Sequence, residues 1–318
     1  MTIKVIGKGA KAGGDSFEYS PGFVFTSDLA CRDYDWLVVY DELSDDERLC
    51  CPRERTILAT WEPVSIKCYS GAYVRQFGHL LTNRPPEAEK HPHYHLGRGY
   101  YRWFCDRTYP EVVTTVLPAK SKAISVVCSS KRMRRTKHFA RYRLVSEIKR
   151  AIPELEWYGH GVLPFGKKYE VMDPFRYHVV IENHIAPHHW TEKLSDAFLC
   201  ECLPFYAGAP DLADDFPKES FIPIPIDDPN ETIRIVKAAI AADEYGKRRE
   251  AVLEAKRLIL TKYNFWAQVI DVIEASRGQT CAPVSGYVDI LPRRRLRRNP
   301  IVALGDALAH LRMSLGRF

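Results

Sequence analysis

Three groups of side chains in this sequence are spaced for chemistry: an acid–base pair at a helix start, a run of cations and a strand-end carboxylate. In Thr191-Glu192-Lys193-Leu194-Ser195-Asp196-Ala197-Phe198, the spacing of Leu194, Ala197 and Phe198 predicts a helix. Thr191 suits its N-cap, and Glu192 falls in the first turn, where the positive end of the helix dipole favours an acid. The free N–H groups there suit a phosphate, and Lys193 adds a full positive charge. Upstream, seven cations lie between Lys131 and Arg143, at the mouth of a second helix where a diphosphate would bind. Glu62, beside Trp61, ends an apolar run; a carboxylate at such a lip can take the proton of an attacking hydroxyl. Burial against the tryptophan is expected to raise its pKa. His91, His93 and His95 alternate along an extended segment, but no carboxylate lies at matching spacing, so no metal site is expected.

The pieces Ile181-Glu-Asn183, Trp190-Thr-Glu-Lys-Leu194, Leu203-Pro-Phe-Tyr-Ala-Gly208 and Ser220-Phe-Ile222 resemble, in order and spacing, the C-terminal region of glycosyltransferase family 10, the α-1,3/4-fucosyltransferases. Two departures stand out. Ile181 replaces a Phe, and His189-Trp190 occupy the place of a Tyr-Val that in the family touches the nucleotide-sugar. The resemblance implies a GT-B fold, an α/β architecture of two Rossmann-like domains facing across a cleft. It implies an inverting, metal-independent transfer of fucose from a GDP-fucose-like donor to a glycan hydroxyl, with no cofactor besides the nucleotide-sugar. Glu62-Pro63 stands near the place of the family's Glu-Ser-Pro base but lacks the Ser. The family's phosphate arginine precedes an apolar helix position by seven residues; Arg141 before Ile148 fits this, with Arg143 the runner-up. Lys193 would then join Arg141 on the diphosphate, Glu192 and Asn183 would hold ribose or sugar, and His189 would touch sugar or phosphate.

The elements that must position these groups alternate. Thr2–Ile6, Trp36–Tyr40, Thr56–Trp61 and His79–Thr82 read as strands, with a short helix within Ser65–Phe77, and together they predict a parallel sheet. A new strand at Ala123–Cys128 opens a βαβ unit, strand, basic loop, helix and strand, with Phe139, Tyr142, Val145, Ile148 and Ile152 expected on the helix's inner face. The strand His178–Asn183 follows, then a seven-residue loop with three histidines, placed where open α/β sheets bind ligands. Tyr245–Ser276 reads as one long helix. The expected domains are 1–117 for the acceptor, 118–276 for the nucleotide-sugar, and a tail over 277–318.

At 318 residues with 46% hydrophobic content, the chain can bury large cores, and no apolar run is long enough to span a membrane. Nine cysteines without a C-x-x-C pair or an export signal read as reduced thiols. The formal charge of +6 resides in residues 292–318, where seven arginines oppose Asp306 alone. There Ile301, Leu304, Leu308, Leu311 and Leu315 fall at helical spacing behind five arginines. That is a basic amphipathic helix suited to an anionic membrane surface, and the expectation is a cytoplasmic protein peripheral to the inner face. A glycan or lipid-linked glycan, as in bacterial surface polysaccharide or lipopolysaccharide, is the expected acceptor, and a homodimer is open. The competing readings are a basic nucleic-acid-binding protein, disfavoured if Phe139 and Tyr142 are core residues, and a glycosyltransferase-like protein with another donor or no activity. A metal-dependent transferase is set aside, because Asp33-Tyr34-Asp35 precedes its strand instead of following it.

Overall fold

The computed structural model describes residues 1–8, 16–63, 66–99, 104–131, 137–278 and 288–314, the side chains of 309, 310 and 312–314 excepted. Arg132, Arg134 and Arg135 of the basic loop lie outside the described residues, as do Ser65, Leu315 and Arg317.

The chain divides into two units, one built from Met1–Arg98 with Trp266–Phe318 and the other from Gly99–Phe265. The first begins with β1 (Thr2–Ile6), β2 (Ser16–Ser20), β3 (Phe23–Thr26), β4 (Trp36–Tyr40), β5 (Glu47–Arg48) and β6 (Thr56–Thr60). It continues with α1 (Gly71–Val74), β7 (His79–Thr82) and β8 (Tyr94–Leu96). Its main sheet runs β2-β3-β1-β4-β6-β7-β8, parallel except for β2. Every residue of β4, β6 and β7 is buried, as a parallel sheet covered on both faces requires.

The second unit holds α2 (Tyr109–Thr114), β9 (Lys122–Val127), α3 (His138–Ala151), β10 (Glu156–Tyr158) and β11 (Phe175–Ile181). After these come α4 (Glu192–Leu199), β12 (Leu203–Ala207), β13 (Ile222–Pro223), α5 (Pro229–Ala241) and α6 (Glu244–Thr261). The sheet is wholly parallel, in the order β10-β9-β11-β12-β13. After β9 the chain steps to one side for β10 and returns on the other for β11, so the strand order reverses between β9 and β11.

The chain then returns to the first unit as α7 (Phe265–Ala275), β14 (Asp289–Ile290), α8 (Arg293–Leu296) and α9 (Pro300–Ser314). Here the structure departs from the expected boundaries. Trp266 packs on Phe17 and Phe25, with ring centroids 4.9 and 4.8 Å apart, which assigns α7 to the first sheet. Tyr109 of α2 donates its hydroxyl to the Leu260 carbonyl at 3.2 Å, which draws the segment before residue 118 into the second unit. The long helix expected over Tyr245–Ser276 is broken, because the buried Asn264 donates its side-chain amide to the Ile259 and Leu260 carbonyls and so caps α6. The short helix within Ser65–Phe77 is only α1, begun by the Ser70 side chain accepting from Tyr73 N at 3.3 Å.

Two further expectations are corrected. On α3 the buried residues are Arg141, Leu144, Val145 and Ile148, while Phe139, in the first turn, is 41% exposed. The inner face is therefore turned toward Arg141, and Phe139 is not a core residue. The tail is not a free cationic module either. Arg293 pairs with Glu42 at 2.6 Å, Arg294 meets Asp45 at 2.5 Å, Arg295 pairs with Asp46, and Arg297 pairs with Asp306 at 2.5 Å. What α9 leaves outward is its apolar stripe, with Ile301, Leu304, Leu308 and Leu311 between 49% and 81% exposed. Among the described residues no helix is long and apolar enough to cross a membrane. The eight cysteines described are thiols.

Candidate active site

Where the strand order reverses, the ends of β9 and β11 part, and side chains can enter the gap from the loops above. A cavity of about 140 Å³ lies there, lined by the last residues of both strands and by Arg141, Lys168, Glu192 and Lys193. The sequence builds it locally. β11 ends in Ile181, and Glu182 beyond it is wholly buried, its N–H held by the Ala207 carbonyl at 2.9 Å. A buried carboxylate must be satisfied, and Thr191 does this with its N–H and hydroxyl, at 2.7–2.9 Å. Glu182 thereby fixes the N-cap of α4 from the neighbouring strand, while the Thr191 hydroxyl accepts from the Lys193 N–H at 3.4 Å. The Lys193 ammonium sits 2.9 Å from that hydroxyl, 3.1 Å from Glu192 and 3.4 Å from Glu182.

Charge is concentrated here. Burial opposes ionisation of Glu192, but the charges of Lys193 and Lys168 outweigh it and hold the carboxyl below its ordinary range. Burial likewise works against the Lys193 ammonium, and Glu182 with Glu192 more than compensates, raising its pKa. Arg141 reaches the cavity from α3 and donates Nη1 to the Asn183 side-chain oxygen. Its Nε is buried and has no hydrogen-bond partner, and it sits on a residue only 7% exposed. A buried guanidinium donor left unmatched is costly, and its positive charge favours an anionic acceptor.

Of the expected donor residues, the structure thus brings together Arg141, Lys193, Glu192 and Asn183. It turns Arg143 out to solvent, because two helix positions separate Arg141's face from its own. His189 is buried edge-on to His184, ring centroids 5.2 Å apart, and burial first, then His184 and Lys193, push its pKa down to about 4. Trp190 is a core residue, its indole N–H on Asp215 at 2.9 Å and its ring against Phe216 and Tyr263. Glu62 belongs to the other unit, just beyond β6; its carbonyl accepts Arg84 Nε at 2.8 Å, and Trp61 before it stacks on Tyr40 at 3.6 Å. His91 bonds the Phe77 carbonyl and His95 bonds His79, at 3.1 and 3.2 Å. Among the described residues no group of three or more His, Cys, Asp or Glu is arranged to hold a metal ion.

Three contributors carry little signal in the sequence. Glu182 lies within Ile181-Glu-Asn183, and its place at the strand end is the signal for it. Lys168, in a short 3-10 turn, and its partner Asp196 on α4 carried no local signal at all.

No family model matches the chain, and no curated protein matches it. Solved structures do. An α1,3-fucosyltransferase with GDP-fucose is 14% identical, with 90% of this chain and 92% of that one covered and a TM-score of 0.51. Anabaena Alr3699/HepE in complex with UDP and glucose is 10% identical, with 78% and 79% covered and a TM-score of 0.46. The chain has the GT-B glycosyltransferase fold. In the GT-B second unit the cavity above occupies the reversal between β9 and β11, the place where a doubly wound sheet opens to a ligand.

Proposed function

We propose that this chain is an inverting, metal-independent glycosyltransferase that moves a sugar, fucose by the sequence resemblance, from a nucleotide diphosphate donor to a hydroxyl of a glycan. The observation carrying the reading is the convergence of Arg141 and Lys193 on one cavity, with a buried guanidinium Nε lacking a hydrogen-bond partner. The Arg141 guanidinium and the Lys193 ammonium suit a diphosphate leaving group, because preorganised positive charge stabilises what develops as the glycosidic bond breaks. In the reaction the acceptor oxygen bonds to the anomeric carbon, the carbon–phosphate oxygen bond breaks, and its electron pair leaves with the diphosphate. Glu62, by the sequence resemblance, takes the acceptor proton. Glu192 faces the sugar or ribose beside the phosphates, with Asn183 holding Arg141 in place.

The acceptor we assign to a bacterial surface glycan, free or lipid-linked. The exposed stripe of α9 supports a peripheral place on the inner face of the membrane. The test is a thermal-shift screen of GDP-, UDP- and dTDP-sugars, in which the true donor at 100 times its Kd adds about 2.7 kcal/mol. Turnover with that donor should survive EDTA. A midpoint unmoved by every nucleotide-sugar overturns the reading.

A further inference from the structure

The proposed reaction accounts for Arg141, Lys193 and Glu192 but leaves an ion pair next to them without a task. Lys168 lines the donor cavity and pairs with Asp196, whose carboxylate is 1% exposed. Glu192 and Asp196 are four residues apart on α4, so they lie on the same face, one turn above the other. Two carboxylates so placed repel, and the lower one is buried beyond the reach of solvent screening. Lys168 is the cation set against it. Asp196 is itself located by the Cys105 N–H at 2.9 Å, and the Lys168 backbone N–H is tied to Asp106 at 2.8 Å. The ammonium is therefore delivered to the cavity by a fixed turn.

We propose that Lys168, held in place by Asp196, is a positioning residue that acts on the donor through Glu192, keeping that carboxylate charged and facing the cavity. This rests on the reading that Glu192 meets the donor. The other groups facing Glu192 divide by element. Lys193 comes from its own helix, Glu182 and the buried His178 from β11, Arg141 from α3, and His184 and His189 from the loop before α4. Glu182 is already matched by Thr191 and Lys193, and the two loop histidines are held neutral by burial. Lys193, 3.1 Å away, and Lys168, in the same cavity lining, remain as the cations that act on Glu192, in agreement with the low range of its carboxyl. Lys193 has two acids to serve, which leaves Lys168 to offset Asp196.

The experiment is a carboxyl-carbon NMR titration of Glu192 in the full chain without donor, alongside pH profiles of kcat/KM. In K168M the Glu192 midpoint should rise by about one pH unit, equivalent to tenfold in proton affinity, and K168R should restore it. Because K168M strands a buried carboxylate, the K168M/D196N double variant removes both charges and serves as the folded control. It should show a smaller rise. For activity, K168M should lose up to about tenfold at low pH and recover to within about threefold of wild type at high pH. A defect equal at all pH values would make Lys168 a plain phosphate cation and overturn the proposal, as would an unchanged titration in K168M. If the titration moves but no nucleotide-sugar binds the wild type, the donor reading falls and the Lys168–Glu192 coupling stands.

Discussion

Arg141 occupies a buried position on a helix whose inward neighbours are Leu144, Val145 and Ile148. An arginine there is costly unless something anionic completes its hydrogen bonds, which is why it is the residue to remove first. We expect Arg141→Ala and Lys193→Ala each to lower kcat/KM tenfold or more, about 1.4 kcal/mol. Arg143→Ala, changed at a solvent-facing position, should stay near wild type in the same steady-state assay. Full turnover in both cavity variants would remove the phosphate assignment. A second consequence concerns protons. Burial pushes His79 down to about 4, aided by His95 and His93; His178 down to about 3, aided by Lys168 and Lys120; and His189 to about 4. An unfolded histidine titrates near 6.5, so below that pH the unfolded chain takes up protons the folded one refuses. This contribution to stability is complete above pH 6.5 and drains away between about 6.5 and 3, where His178 is the last to titrate. Urea midpoints should therefore fall from pH 7.5 to pH 5, and a constant midpoint would contradict the assignment of these rings as neutral.

At the level of elements, the sequence showed most clearly what local pattern controls. The α4 start, with Thr191, Glu192 and Lys193, was legible because capping and spacing are local properties. The inner face of α3 was misjudged by its first turn, since Phe139 looks apolar whether or not anything covers it. Asn264 broke a helix that periodicity ran straight through, because a side-chain amide's choice of carbonyls has no periodic signature. Lys168 and Asp196 meet across 28 residues of intervening chain, and the tail arginines find Asp45 and Asp46 across 249. Such pairings are set by packing and leave no mark on spacing. They also change what α9 can do. With Arg293, Arg294, Arg295 and Arg297 already paired, we expect attraction to lipid to lean on Ile301, Leu304, Leu308 and Leu311. Co-sedimentation with anionic vesicles should thus depend weakly on salt and be abolished in L304D/L308D. Unchanged sedimentation of that variant would show that the stripe is not the contact.

For the whole molecule, one unit is an insertion within the other, since Gly99–Phe265 separates the two stretches that make up the first unit. Arg293, buried between Glu42 and Asp306, fastens the later stretch to the earlier one. Removing one partner of a buried pair typically costs 3–5 kcal/mol; Lys67, 3.1 Å from Glu42, remains to share the burden, so Arg293→Met should cost about 2 kcal/mol. Differential scanning calorimetry should show that loss with donor affinity unchanged, and a weakened donor Kd would contradict the independence of the two sites. The same arrangement governs how the protein is made. Glu42 leaves the ribosome 251 residues ahead of Arg293, a wait of roughly 12–50 s at ordinary elongation rates. For most of it the nascent seven-stranded sheet lacks the helix bearing Trp266, which follows only when the inserted unit has been made. The part begun first is finished last, and its unclad apolar face is the surface a chaperone would meet.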